Sequence, residues 1–116
     1  MDGPYLIKLA VIGSRGFNNY DYLEDKLAEF HIAEIISGGA KGADSLAIRY
    51  AKKQNLPFRE FLPDHKQYKH PYHHRNRLIA EYCDKLVAFW DGSSTGTKYT
   101  IGYAKKIGKP VYVFKY

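Results

Sequence analysis

One cysteine, Cys83, in 116 residues excludes any internal disulfide and fits a reducing, cytoplasmic setting. No apolar run approaches the roughly 20 residues of a membrane span, so no membrane partner is expected. Met1-Asp2-Gly3-Pro4 lacks the basic and apolar regions of a signal peptide. Low-complexity tracts are also missing, and 45% of residues are hydrophobic. The length suits one domain, residues 1–116, with a real core. Acidic residues are the scarcer charge, 12 against 18 basic, which leaves a net +6. That balance points to anionic partners, either small phosphates or nucleic acid, and does not choose between them. Tyrosine, by contrast, is abundant at 11 residues. Rings with an apolar body and a polar tip suit a subunit interface or a pocket, and a homo-oligomer is expected.

The most informative stretch is Ile35-Ile36-Ser37-Gly38-Gly39-Ala40-Lys41-Gly42-Ala43-Asp44. An apolar run ends at Ser37, a Gly-rich loop follows, and residues 44–53 have the pattern of a helix. Glycines let backbone N–H groups approach a ligand, and a helix N-terminus adds unpaired donors with partial positive charge. That combination suits an anion, usually a phosphate. Taken alone, the glycines equally suit a simple turn. No Gly-Lys-Ser/Thr follows at the spacing of a P-loop.

In chain order, 6–12 reads as a strand that ends at Gly13-Ser14-Arg15-Gly16-Phe17. Asn18 or Asn19 can cap a helix over 20–30, where Leu23, Leu27 and Phe30 recur at helical spacing. Residues 33–37 form the second strand, and Asn55 marks the end of the second helix. Residues 57–62 begin with proline and alternate apolar with charged, as an edge strand does. After a polar loop over 63–71, a helix is expected over 72–82. Lys85 to Trp90 is nearly all apolar, as in a buried central strand. Asp91-Gly92-Ser93-Ser94-Thr95-Gly96-Thr97 is a second loop rich in glycine and hydroxyls. A helix to about 107, a stop at Gly108 and a strand over 111–114 complete the chain.

Strict alternation of strands and helices predicts an α/β, Rossmann-like three-layer fold with a parallel five-stranded sheet in the order 3-2-1-4-5. The loops 13–17, 38–44 and 91–97 follow the first, second and fourth strands. They therefore meet at the carboxyl edge of the sheet, where such folds bind ligands.

These four segments, the three loops and Arg75-Asn76-Arg77, resemble the SLOG superfamily in kind and order. That group includes the cytokinin-activating LOG enzymes and DNA-processing protein A, and the chain is most similar to its small YspA-like branch. The resemblance implies a nucleotide or nucleotide-derived ligand at the crevice; three anion-binding loops without a clear catalytic carboxylate favour a sensor or carrier of it. LOG enzymes cleave a nucleoside monophosphate at its N-glycosidic bond, using an Arg on the third helix and a Glu in a Gly-rich motif. Arg75 or Arg77 lies in the matching Arg region. With Gly96-Thr97 aligned, Thr100 stands where the Glu would be, and a hydroxyl cannot act as a carboxylate base. The resemblance therefore implies binding ahead of hydrolysis. A LOG-like phosphoribohydrolase and a single-stranded DNA binder are the alternatives, and no catalytic residue is assigned.

The candidate ligand contacts are Gly13, Ser14 and Arg15; Gly38, Gly39, Ala40, Lys41, Gly42 and Asp44; Arg75 and Asn76; and Asp91, Gly92, Ser93, Ser94, Thr95, Gly96 and Thr97. Arg15 and Arg75 suit phosphate contacts, with surface roles as the plainer option. Lys41 is similar but on a more flexible stem. Asp44 either complements the dipole of its helix or meets a ribose hydroxyl. Asn76 is placed to hold the loop after the fourth strand. Ser94, Thr95 and Thr97 can cap a helix and bind phosphate oxygens. His70, His73 and His74 cluster without a carboxylate or Cys pattern, so neither a metal nor a cofactor is expected. Cys83 reads as a core thiol, and Trp90 as core or crevice wall.

Overall fold

The computed structural model describes residues 5–116. The opening Met1-Asp2-Gly3-Pro4 reading lies outside them. The order is β1 (Ile7–Gly13), α1 (Tyr20–Leu27), β2 (Ile32–Ser37), α2 (Ala43–Lys53), β3 (Phe58–Glu60), α3 (Pro71–Tyr82), β4 (Lys85–Trp90), α4 (Thr95–Lys106) and β5 (Val111–Lys115). The five strands form one sheet in the order β3-β2-β1-β4-β5. Every pairing is parallel, as the alternation of elements predicted. No helix is long and apolar enough to cross a membrane among the described residues.

The period-two rule of a strand divides the core into two layers. Leu9 and Val11 of β1, with Val87 and Phe89 of β4, face α1 and α2. Ala10 and Ile12, with Leu86 and Ala88, face α3 and α4. Both faces of the central strands are covered, so their sequences are apolar throughout. Phe17, at the end of the first loop, stacks on Phe89 at 4.7 Å between centroids. That contact seats the loop in the core beside the crevice.

Helix and strand ends differ from the periodicity in two places. Helical spacing runs to Phe30, but α1 stops at Leu27. Beyond it the Glu29 N–H goes to Lys26 and the Phe30 N–H to Leu27, the tighter i to i+3 pattern. Phe30 still reaches the core from this turn. The edge strand is shorter than expected, three residues rather than six, and all three are exposed.

α2 and α4 end alike. The Leu56 N–H bonds Ala51 and the Asn55 N–H bonds Lys52, with Asn55 at φ +56°. The Lys109 N–H bonds Ala104 and the Gly108 N–H bonds Lys105, with Gly108 at φ +85°. Both are Schellman closures. A Cβ at Gly108 would meet nothing within 4 Å, so only backbone strain opposes it. Gly108→Ala is expected to cost roughly 1–2 kcal/mol, the penalty of an L-residue in the left-handed region. Urea titration should show a lower midpoint at an unchanged slope.

Candidate functional site

The loops after β1, β2 and β4 and the first turns of α3 and α4 enclose a crevice of about 420 Å³ at the carboxyl edge of the sheet. Of the residues expected there, Gly13, Ser14, Arg15, Ala40 and Asp44 line it. So do Arg75, Asn76, Asp91, Ser94, Thr95, Gly96 and Thr97. Gly38, Gly39, Lys41, Gly42, Gly92 and Ser93 are not among its lining residues.

The β2–α2 loop is used to build the crevice. The Gly39 N–H goes to Ser37 Oγ at 3.3 Å, and the Ala40 N–H to Asp44 Oδ2 at 3.2 Å. Two donors expected to face a ligand are therefore engaged within the loop. Gly42, at φ +83°, lies so close to the preceding loop that a Cβ would sit 2.4 Å from the Ser14 carbonyl oxygen. Backbone packs directly on backbone there, and only glycine fits.

Arg75 is 7% exposed. It bonds the Gly38 carbonyl at 2.5 Å through Nη1, and the Phe61 carbonyl at 3.4 Å. Its Nε donates to Asn76 Oδ1 at 2.8 Å. Asn76 therefore aligns the guanidinium; no bond joins it to the loop after β4. Burial lowers the Arg75 pKa, and Asp44 opposes that shift. Asp44 is itself buried, and burial pushes its carboxyl up to about 6. The N–H of Ala40, the charge of Arg75, the Gly38 backbone and Arg15 each pull it back down.

The β4–α4 loop is closed by Asp91. Its Oδ1 accepts the N–H groups of Ser93 and Ser94, at 2.9 and 2.8 Å. These bonds hold the carboxyl well below the usual carboxylate range. Ser94 Oγ lies 2.8 Å from Asp91 Oδ2 and 2.9 Å from Ser14 Oγ. Its one hydrogen goes to the carboxylate, the stronger acceptor, so the Ser14 hydroxyl donates to Ser94. Ser14 Oγ in turn accepts the Asp91 N–H at 3.2 Å. This network ties the first loop to the third.

The Ser94 side chain is thereby diverted from its helix. Although Ser94 is the N-cap of α4, it makes no capping bond, and the first turn holds no acidic residue. The N–H groups of Thr95, Gly96 and Thr97 have no acceptor among the described residues. Arg15, exposed at the crevice, has no hydrogen-bond or ion-pair partner among them either. These are the free positive groups of the site.

Sequence reasoning missed Tyr72, Ile12 and Ile79 as lining residues; Gly16 of the first loop and Thr100 at the aligned LOG position, both outside the candidate contacts, line it as well. Pro71 at the first position of α3 was the available signal for Tyr72, because it fixes where that helix begins. The Thr100 hydroxyl donates to the Gly96 carbonyl at 2.9 Å. Trp90 packs on the α3–α4 side of the core, and its indole N–H bonds the Ser94 carbonyl at 3.1 Å. Cys83 is fully buried, and burial pushes its thiol up to about 11. The His73 ring stacks on Tyr99 and the His74 ring on Tyr68. No group of three or more His, Cys, Asp or Glu side chains among the described residues is placed to hold a metal ion.

Residues 7–68 match the YspA, cpYpsA-related SLOG family. The chain belongs to this family. No curated protein matches its sequence. Among solved structures, this SLOG chain is similar to DNA processing protein A from Streptococcus pneumoniae, at 21% identity and a TM-score of 0.77 over 93% of the chain. It is similar to the Helicobacter pylori protein of the same name, described by its single-stranded DNA binding mode, at 23% identity and a TM-score of 0.71 over 92%. It is also similar to TM1055, a structural-genomics target, at 21% identity and a TM-score of 0.67 over 90%. The chain spans 50% of the Streptococcus protein, 64% of the Helicobacter protein and 72% of TM1055. At these identities the likeness establishes the shared fold.

Asp44 gives this SLOG site a pH dependence with a definite sign. Its folded pKa, about 6, lies above the ordinary aspartate value of 3.8. Its contribution to stability is therefore fully present below pH ~4 and is lost as pH rises through about 6. Asp44→Asn removes the titration. Between pH 4 and 7 the wild type should lose on the order of 3 kcal/mol relative to this variant. Urea unfolding of both proteins across that range checks it, and parallel curves would refute it.

Proposed function

We propose that the crevice binds the phosphate of a nucleotide or nucleotide-derived ligand, and that the protein acts as a sensor or carrier of it. The observation that carries this reading is the uncapped N-terminus of α4. Three successive residues that line the crevice have N–H groups without an acceptor among the described residues, and the N-cap hydroxyl is turned away by Asp91. Arg15 lines the same crevice, and its guanidinium has no hydrogen-bond or ion-pair partner among the described residues. Backbone donors, a helix dipole and a free Arg are the ingredients of a phosphate site. Binding is favoured over N-glycoside hydrolysis because Thr100, at the position of the LOG carboxylate, gives its hydroxyl to the Gly96 carbonyl.

Single-stranded DNA is the second reading. It draws on the Helicobacter pylori relative and on the net charge of +6. Multiple phosphate contacts would give a steep loss of affinity with salt, whereas a single nucleotide would give a shallow one.

A thermal-shift screen of nucleotides and ADP-ribose derivatives finds the ligand, since one at 100 times its dissociation constant adds about 2.7 kcal/mol. Calorimetric titration of the best compound then tests the site. Arg15→Ala should weaken binding by roughly 10- to 100-fold, the worth of one charge-assisted hydrogen bond. Its unfolding free energy should stay within about 0.5 kcal/mol of wild type, because Arg15 is exposed. A folded variant that binds as well as wild type would remove the crevice from consideration.

A further inference from the structure

The lining of the crevice is of two unlike kinds. One is the first turn of α4 with Arg15, rich in donors. The other is Tyr72 together with the apolar Ile12 and Ile79. Tyr72 is 46% exposed, so one part of its side chain is open to solvent where it lines the crevice. Its ring is nevertheless held in place. The His65 ring meets it nearly at right angles, 5.3 Å between centroids. The Arg75 guanidinium, fixed by its own carbonyl bonds, lies 5.8 Å from the ring centroid. Pro71 sets the backbone of the preceding position. The Tyr72 hydroxyl has no hydrogen-bond partner among the described residues.

We infer that Tyr72 is the platform on which the base of a nucleoside phosphate stacks, which makes nucleosides, rather than sugar phosphates or inorganic phosphate, the ligand class of this crevice. This rests on the reading that the α4 N-terminus takes the phosphate. A nucleotide is itself two-ended, a charged phosphate and a flat apolar base, and the crevice presents a matching wall to each end. Its volume of about 420 Å³ falls in the usual range of small-molecule sites, roughly 300–1,000 Å³, and leaves most of the space unused by a phosphate alone. Stacking on tyrosine tolerates any base, so the ring sets the class of ligand and not the individual nucleotide.

The test is calorimetric titration of AMP, GMP, CMP, UMP and ribose 5-phosphate on wild type, Tyr72→Ala and Tyr72→Phe. Wild type should bind at least one of the four monophosphates tenfold or more tighter than ribose 5-phosphate. Tyr72→Ala should weaken that monophosphate by roughly 5- to 150-fold and leave ribose 5-phosphate unchanged. Tyr72→Phe should keep wild-type affinity for both. Equal losses for monophosphate and sugar phosphate in Tyr72→Ala, or no loss for either, would overturn the inference. Ribose 5-phosphate bound as tightly as every monophosphate would overturn it too, while leaving the phosphate reading intact. If none of the five compounds binds wild type, the phosphate reading fails and takes this one with it. Thermal melting of both variants confirms that they are folded, as the exposure of Tyr72 leads one to expect.

Discussion

The crevice depends on a buried guanidinium. Arg75 joins α3 to the β2–α2 loop by bonding the carbonyl of Gly38, and it reaches the chain after β3 at Phe61. Its charge offsets part of the cost of burying Asp44, which in turn accepts the N–H that shapes the loop. Removing one member of such a cluster leaves the other charge without compensation, at a typical cost of about 3–5 kcal/mol. A Cβ on Gly38 would lie 2.6 Å from the guanidinium nitrogen, so the loop can approach this closely only as glycine. The charged side chain that looked most like a ligand contact is thus first a part of the scaffold.

Polar groups at the site therefore fall into two sets. Ser14, Ser94 and Asp91 satisfy one another and close the first loop onto the third. Within the second, the Ser37 hydroxyl takes the Gly39 N–H and the Asp44 carboxylate takes the Ala40 N–H. The donors of Thr95, Gly96 and Thr97 and the side chain of Arg15 are left without partners among the described residues. The leftover set is compact and carries positive charge. The satisfied set ties together the loops that carry it, as polar networks do when every member has a partner.

Much of the architecture was legible because it follows from local periodicity and the handedness of strand–helix–strand units. Apolar runs located β1, β2 and β4, and the loops after them had to reach one edge. The end of α1 was not legible, because Phe30 keeps helical spacing while its backbone turns more tightly. Within the site, residue type showed where polar groups gather but not which of them are already spoken for. Arg15 and Arg75 look alike in sequence. They differ by burial and by two carbonyls that α3 brings within reach, and only tertiary structure supplies those. Tyr72 escaped notice for the converse reason. Its neighbours in sequence are histidines and a proline, whereas its neighbours in space belong to the crevice.

Gly13 lies at the end of β1, where a Cβ would stand 2.5 Å from the Phe89 carbonyl oxygen and 2.6 Å from the Ala43 side chain. One backbone position is thus wedged between β4 and α2 at once. The base of the crevice behaves as a keystone, with no slack through which one loop can be remodelled apart from the others. Exchanges at rim positions such as Arg15, Tyr72 and Thr95 change the lining and spare the arch, whereas any side chain added at the keystone disturbs three elements together.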